Sequence, residues 1–169
     1  MTGHNENLKR KALRRRLNFL RIVGTSIGCG GGIGLIALLA SITHSPVIAP
    51  SFGATCVIAM VTTDSAFAQP RSIIGGHLLC SLVGVLCSNY FGTSGISLVI
   101  AVMISTAVMQ ITRTLHPPAA ADPIFFMMHE SVTPQLLFLS VLVGSIMLVA
   151  FFYAFHKWIS KKIYPAYWY

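Results

Sequence analysis

The chain has 169 residues, of which 54% are hydrophobic and 9% are charged, and its mean hydropathy is +0.74. A soluble domain carries about a quarter of charged residues, so this composition excludes an ordinary soluble enzyme, a nucleic-acid-binding module and a disordered segment. The net charge of +8 is unevenly placed, because residues 22–63, 72–112 and 131–156 contain no Asp, Glu, Lys or Arg. The chain is therefore expected to lie in a lipid bilayer.

Basic residues flank the apolar region at both ends of the chain. They are Lys9, Arg10, Lys11, Arg14, Arg15, Arg16 and Arg21 before it, and Lys157, Lys161 and Lys162 after it. Lys and Arg favour the cytoplasmic side of a membrane, so both termini are expected in the cytoplasm and the protein in the inner (cytoplasmic) membrane. A nucleic-acid-binding arm is disfavoured, because the charge adjoins apolar segments at both ends.

Four apolar segments are long enough to cross a bilayer, at residues 21–43, 71–90, 95–112 and 135–156. Two shorter ones, at 51–63 and 118–128, each follow a proline, which is typical of a helix start. The predicted fold is an all-α membrane bundle of four transmembrane helices and two short broken or half-helices. In the alternative, the short segments also cross and the chain has six crossings.

The sequence contains an internal repeat, with halves at about 21–90 and 95–157. Each half has a long apolar segment, a proline turn, a short apolar segment, an acidic residue, a proline and a second long segment. Short, Pro-interrupted segments in corresponding positions of two halves point to a transport site. With six crossings the halves would form a 3+3 inverted repeat.

Small residues in the first long segment predict close packing. Gly24, Gly28 and Gly32 stand four apart, which favours a tight helix pair within the chain or across a homodimer. The cysteines at 29, 56, 80 and 87 lie inside apolar segments without metal-ligand spacing, so they are interpreted as packing residues. No metal site and no cofactor are expected.

Ionisable residues within or beside the apolar segments are the candidate functional groups, because burying them in a membrane is costly. They are Asp64, Arg71, His77, Arg113, His116, Asp122 and Glu130. At helical spacing, two polar stripes are expected to face away from lipid: His77, Ser81, Gly84 and Ser88, and Thr106, Gln110 and Arg113.

Two structural alternatives stay open. Asp64 with Arg71, and Arg113 with Asp122, would form structural ion pairs, and His77 would be a packing histidine; His4, His44, His129 and His156 are expected at the interface or in solvent.

The tripeptide His116-Pro117-Pro118 has a specific structural consequence. Two successive prolines end the preceding helix and allow a new one to start. A restarted helix carries unpaired N–H groups in its first turn, and the same is expected after Pro50. Together with Arg71 and Arg113, these helix starts are predicted to form an anion site without a metal.

The ordered set Pro50-Ser-Phe-Gly-Ala54, Ala68-Gln-Pro-Arg71, Ile74-Gly-Gly-His77 and His116-Pro-Pro118 resembles the HPP family of integral membrane proteins. The resemblance runs from about residue 50 to 121, and the flanking helices also fit. It implies a bundle of four transmembrane helices and the role in nitrite transport that is proposed for some members. Ala120 departs from the glycine expected near this position, which weakens the case for close backbone approach of a ligand there.

The expected domains are therefore a basic cytoplasmic segment at 1–20, an HPP-type transmembrane domain at 21–157 and a cytoplasmic aromatic and basic tail at 158–169.

The expected function is a transporter or channel for a small monovalent anion, with nitrite as the first candidate. An intramembrane enzyme is disfavoured because no positioned nucleophile accompanies the His and Asp residues, and a non-transporting membrane scaffold is the alternative. The residues predicted to bind the anion are Ser51, Gly53, Thr55, Arg71, His77, Gln110, Arg113, His116, Pro117, Pro118 and Asp122, with His77 or His116 carrying a co-transported proton. Structural or charge-pairing roles are assigned to Asp64, Pro70, Gly75 and Gly76.

Overall fold

The computed structural model describes residues 2–43, 49–129 and 133–168. The described residues form six α-helices and no strand: α1 (Thr2–Thr43), α2 (Ser51–Val61), α3 (Pro70–Phe91), α4 (Gly95–Ile111), α5 (Asp122–Met128) and α6 (Pro134–Phe155). Two 3-10 helices, Ala66–Ala68 and Pro117–Ala121, precede α3 and α5, and a π-helical turn, His156–Ser160, follows α6. The predicted all-α bundle with two short helices is confirmed.

Three of the described helical segments are long and apolar enough to cross a membrane: Leu13–Thr43, Pro70–Phe91 and Gln135–Ser160. The fourth predicted span, α4, is apolar but has 17 residues. The short helices α2 and α5 have 11 and 7 residues, well below the roughly 20 that a perpendicular helix needs to cross the hydrocarbon core.

Contacts between the helices fix their relative directions. Gly28 and Gly32 of α1 pack on Met60 and Cys56 of α2, so α1 and α2 are antiparallel. On α3, Gly76 lies beside His116 and Gly84 beside Pro123, so the segment leading into α5 runs parallel to α3.

The remaining directions follow in the same way. Arg71 near the start of α3 donates to the carbonyl of Thr112 just after α4 (3.0 Å), so α3 and α4 are antiparallel. Phe52 and Ala59 of α2 contact Gly144 and His156, so α6 runs parallel to α2. Thr55 of α2 contacts His77 of α3, while Ser51, earlier on α2, and Ser81, later on α3, meet at the same Asp122 side chain, so α2 and α3 are antiparallel. All six helices therefore alternate in direction along the chain, which is the arrangement expected for the inverted 3+3 alternative.

One end of the bundle collects positive charge and is called the basic end here; Arg21, Arg71, Arg113 and Lys162 lie there. Arg21 donates to the carbonyl of Val61 at the end of α2 (3.4 Å). Burial and the neighbouring Arg21 lower the pKa of Lys162, while Asp64 opposes this shift. The start of α3 and the end of α4 thus face the same side as the segment after α6.

The main core lies between α1, α2, α3 and α6, around Ile36, Phe52, Met60 and Phe152, which are fully buried. Two of the predicted α1 glycines shape this core. A Cβ on Gly28 would lie 2.7 Å from the Met60 sulfur, and one on Gly32 would lie 3.1 Å from the Cys56 sulfur. Gly24 has no such neighbour within 4 Å. Close packing is therefore present at two of the three positions.

Candidate functional site

The two short helices begin side by side inside the bundle. The Ser51 hydroxyl, at the first residue of α2, donates to Oδ1 of Asp122, at the first residue of α5 (2.6 Å). Both side chains are buried. From this point α2 runs toward the basic end and α5 runs away from it, so the meeting of the two starts lies midway along α3.

Asp122 begins a chain of buried hydrogen bonds. Its Oδ2 lies 2.7 Å from Nδ1 of His77, whose Nε2 lies 3.0 Å from the Thr55 hydroxyl. The same hydroxyl lies 2.9 Å from Nε2 of His116. These four residues, Asp122, His77, Thr55 and His116, are called the histidine network, and all four have 0% exposure.

Two further groups complete the surroundings of the network. The Ser81 hydroxyl lies 3.4 Å from Oδ2 of Asp122, and Nδ1 of His116 lies 2.7 Å from the backbone carbonyl of Phe67. Because a carbonyl oxygen only accepts hydrogen bonds, Nδ1 of His116 carries a hydrogen. Ser81 belongs to the predicted inward stripe, but no side-chain pattern could have indicated the Phe67 carbonyl.

Glycines on α3 allow the second half of the chain to come close enough. A Cβ on Gly76 would lie 2.8 Å from Cβ of His116, and one on Gly75 would lie 2.7 Å from Cγ2 of Thr114. A Cβ on Gly84 would lie 2.9 Å from Cα of Pro123. A side chain at these positions would force its neighbours to move, so the glycines allow His116 and the start of α5 to lie close to His77.

The helix starts differ from the expectation of unpaired amides. Phe52 N donates to Ala49 O (3.0 Å), Gly53 N to Pro50 O (3.3 Å) and Ala119 N to His116 O (3.0 Å). The prolines produce tight turns of the 3-10 type, whose own carbonyls satisfy these donors. A protein carboxylate, Asp122, occupies the place where an anion was expected.

Arg71 and Arg113 lie away from the network. Both are exposed, and both line a cavity of about 380 Å³ at the basic end, together with Ala66, Gln69, Ser72, Tyr167 and Trp168. Arg113 has a φ of +56°, which is uncommon for a residue with a side chain. The expected ion pair between Arg113 and Asp122 is wrong, since Asp122 is instead bonded to Ser51 and His77.

Gln69 was not predicted as a site residue, although it lies at the wall of this cavity and is buried. Its Nε2 donates to the carbonyls of Thr63 (3.0 Å) and Ser65 (2.8 Å). Its Oε1 accepts from the backbone N–H groups of Ala166 (2.9 Å) and Tyr167 (3.4 Å). Gln69 thus fastens the C-terminal tail over the two arginines.

Several other predicted site residues lie outside the network. Gln110 is exposed and donates to Thr106 O of its own helix (3.3 Å), so its stripe does not face the bundle interior. Gly53 is half-buried with nothing within 4 Å of an added Cβ. Pro117 is exposed, and Pro118 is buried in the 3-10 helix. Pro70 begins α3, and Asp64 is exposed and interacts with Lys162.

His156 is buried, contrary to the interfacial position expected for it. Its Nε2 lies 3.0 Å from the Ala59 carbonyl and its Nδ1 lies 2.7 Å from the Ser160 hydroxyl. His129 is half-buried, with Nδ1 2.8 Å from Phe125 O. The expectations for His44 and Glu130, and for the side chain of His4, fall outside the described residues.

Comparison with known proteins identifies the family. The family model "HPP, transmembrane region" matches residues 14–165, which is nearly the whole chain. The chain belongs to the HPP family. The network and the two-arginine cavity both lie within the matched region, so they are parts of an HPP transmembrane domain.

Two curated relatives of this HPP protein are transmembrane proteins of Dictyostelium discoideum. One is 30% identical over 129 residues, covering 72% of this chain and 45% of the relative. The other is 25% identical over 125 residues, covering 70% and 40%. The chain thus spans less than half the length of the curated relatives it matches. No solved structure matches it.

Proposed function

We propose that this HPP protein is a transporter that moves a small monovalent anion together with a proton, nitrite being the first candidate. The observation that carries the proposal is the histidine network, which buries a carboxylate and two imidazoles inside an apolar bundle. Groups of this kind are expensive to bury in a membrane, and where they occur they commonly form proton relays. The packing of apolar helices does not require buried ionisable groups.

The network also connects the two halves of the repeat. Ser51, Thr55 and His77 belong to the first half, and His116 and Asp122 belong to the second. Transporters built from inverted repeats place their sites at the repeat interface, beside broken helices. Relative movement of the halves would therefore make and break the bonds of the network itself.

Recognition of the anion is assigned to the two-arginine cavity. Arg71 and Arg113 face it from the start of α3 and the turn after α4. A guanidinium group donates two parallel hydrogen bonds to a carboxylate, and nitrite likewise offers two oxygens on a bent ion. The arginines raise the local concentration of such an anion, and by the positive-inside rule the basic end faces the cytoplasm.

The Asp122 carboxylate occupies the meeting of the two helix starts, so the network offers an anion no net attraction at rest. Uptake of a further proton gives the network a positive charge that attracts the anion. The anion and the proton therefore favour each other's binding, which is the thermodynamic condition for coupled transport.

The experiment is a flux assay with purified protein in liposomes under an imposed pH gradient. Nitrite uptake and internal pH are recorded together, and protein-free liposomes give the leak of the protonated acid. We expect nitrite uptake that is accompanied by protons and is weakened by Arg71→Gln with Arg113→Gln. Absence of flux for nitrite, nitrate and chloride in correctly folded protein would exclude transport and favour the membrane scaffold.

A further inference from the structure

The Thr55 hydroxyl is surrounded by more acceptors than it can serve. It lies 3.0 Å from the Ser51 carbonyl, 3.0 Å from Nε2 of His77 and 2.9 Å from Nε2 of His116. A hydroxyl has a single hydrogen to donate and two lone pairs with which to accept. If both Nε2 atoms lacked hydrogen, the hydroxyl could donate to only one of them. The lone pair of the other Nε2 would then point at a lone pair of the Thr55 oxygen, in a fully buried position.

The far side of each imidazole is already determined. Nδ1 of His116 donates to the Phe67 carbonyl. Between Nδ1 of His77 and Oδ2 of Asp122, 2.7 Å apart, lies one proton. The other carboxylate oxygen accepts from the Ser51 hydroxyl, and Ser81 adds a longer contact. These hydrogen bonds leave the two Nε2 atoms as the places where the proton content can change.

From this count we infer that the Thr55 hydroxyl is a proton switch between His77 and His116. Satisfying both imidazole contacts requires that at least one Nε2 carries a hydrogen. A charged Asp122, two neutral imidazoles and this additional proton sum to zero net charge. A neutral network is also the state that a low-dielectric interior favours.

The same proton count allows two arrangements. In one, Nε2–H of His77 donates to Thr55, and Thr55 donates to His116; in the other, both directions are reversed. To pass between them, the His77 N–H bond breaks as an O–H bond forms on Thr55, while the original Thr55 O–H bond breaks as an N–H bond forms on His116. The net result is that one proton crosses from His77 to His116, whose ring centres are 5.1 Å apart, toward the exposed Phe67 at the basic end.

A third arrangement holds one more proton without moving any heavy atom. Both Nε2–H groups then donate to Thr55, and the Thr55 hydroxyl donates to the Ser51 carbonyl. The network then carries one positive charge. No other charged side chain among the described residues makes a hydrogen bond or ion pair with the network, so this charge is balanced by one monovalent anion. This charge balance, which rests on the proposed function, means that one proton is transported with each anion.

The first test is the nitrogen-15 NMR spectrum of histidine-labelled protein in lipid nanodiscs, with His77→Gln and His116→Gln to assign the signals. We expect at least one Nε2 of the pair to be protonated at neutral pH. Two neutral rings, both with the hydrogen on Nδ1 and a bare Nε2, would overturn the inference. This readout is independent of transport, so it stands or falls separately from the proposed function.

The second test uses Thr55→Val, which replaces the hydroxyl with a methyl group of similar size. Proton-coupled flux is expected to fall about 100-fold, the scale on which a positioned proton-transfer group acts, whereas Thr55→Ser keeps the hydroxyl and restores flux. Thr62→Val is the matched control, because Thr62 ends the same helix, is exposed and bonds Ile58 O (2.9 Å). Wild-type flux in folded Thr55→Val would refute the switch while leaving transport intact.

Discussion

The bundle buries histidine in two different surroundings. His77 and His116 share the network with Asp122 and Thr55, whereas His156 lies between the Ala59 carbonyl and the Ser160 hydroxyl. All three rings are at most 1% exposed, so burial does not distinguish them. They differ in the hydrogen-bonding and charged groups that contact each ring.

The partners of His156 are satisfied by a neutral ring. The Ala59 carbonyl takes the hydrogen of Nε2, and the Ser160 hydroxyl donates to Nδ1. Among the described residues, Lys162 acts electrostatically on this ring, and it is a cation. A carboxylate beside the ring, as at His77, is what allows a buried imidazole to hold a further proton. His156 therefore fastens α6 to α2, whereas the network contains the carboxylate that the proposed proton movement requires.

The largest effect is expected from removing the carboxylate, which is the group that distinguishes the network from the surroundings of His156. Asp122→Asn leaves Ser51, Ser81 and His77 without their charged acceptor, so proton-coupled flux should be abolished. Breaking a buried ion pair also lowers the free energy of unfolding by about 3–5 kcal/mol. Flux in liposomes and denaturant unfolding in detergent measure the two effects. Asp64→Asn, the same change at an exposed position, should alter neither; retained flux in Asp122→Asn would remove the carboxylate from the mechanism.

A second substitution displaces the network without changing its chemistry. A Cβ at Gly76 would lie 2.8 Å from Cβ of His116 and 3.2 Å from Thr114 O, and overpacking of this kind costs about 1–3 kcal/mol. Gly76→Ala is expected to reduce flux sharply as His116 moves away from Thr55. Gly53→Ala is the matched control, since its Cβ meets nothing within 4 Å. Equal flux in the two variants would show that the spacing of His116 and Thr55 is unimportant.

The third prediction concerns the structural histidine. His156→Phe leaves Ala59 O and Ser160 without their partner, and an unsatisfied buried polar group costs about 1–3 kcal/mol. Thermal unfolding should therefore occur at lower temperature, while flux per folded molecule stays at the wild-type level. Loss of flux in protein that is still folded would mean that His156 also takes part in proton movement.

The smallest effects are expected at the basic end, from two non-glycine residues with positive φ, Arg113 (+56°) and Lys161 (+54°). Glycine relieves a left-handed conformation by about 1 kcal/mol, so Arg113→Gly and Lys161→Gly should each raise the unfolding free energy slightly. Arg113→Gly should also raise the nitrite concentration needed for half-maximal flux, because it removes one guanidinium from the cavity. If Lys161→Gly raises that concentration equally, the two-arginine cavity is not the anion site.

Much of the site could be predicted from side-chain chemistry. Prolines located the two short helices, and the cost of burying ionisable groups selected His77, His116 and Asp122, which the fold brings together with Ser51 and Thr55. Gly75 and Gly76, for which a structural role was predicted, lie beside Thr114 and His116. These residues were predictable because each carries its own physical constraint.

The predictions that were wrong concern features set by the backbone rather than by side-chain chemistry. The amides after Pro50 and Pro118 bond to carbonyls in tight turns, and neither those turns nor the Phe67 carbonyl leaves a signature in residue types. Helical spacing alone also misplaced Gln110, because α4 packs on the bundle through residues such as Ala101 and Met109 and leaves Gln110 exposed. Which face of an apolar helix meets lipid is decided by its neighbours.

The bonds from Gln69 to the backbone of Ala166 and Tyr167 place Tyr167 and Trp168 at one wall of the two-arginine cavity. Besides the Gln69 carboxamide oxygen, the Tyr164 hydroxyl holds this segment, because it donates to the Ala68 carbonyl (2.9 Å). The opening through which an ion would reach Arg71 and Arg113 is therefore shaped by the segment after α6 as well as by α3 and α4, so a substitution at Gln69 would alter the opening without changing either arginine.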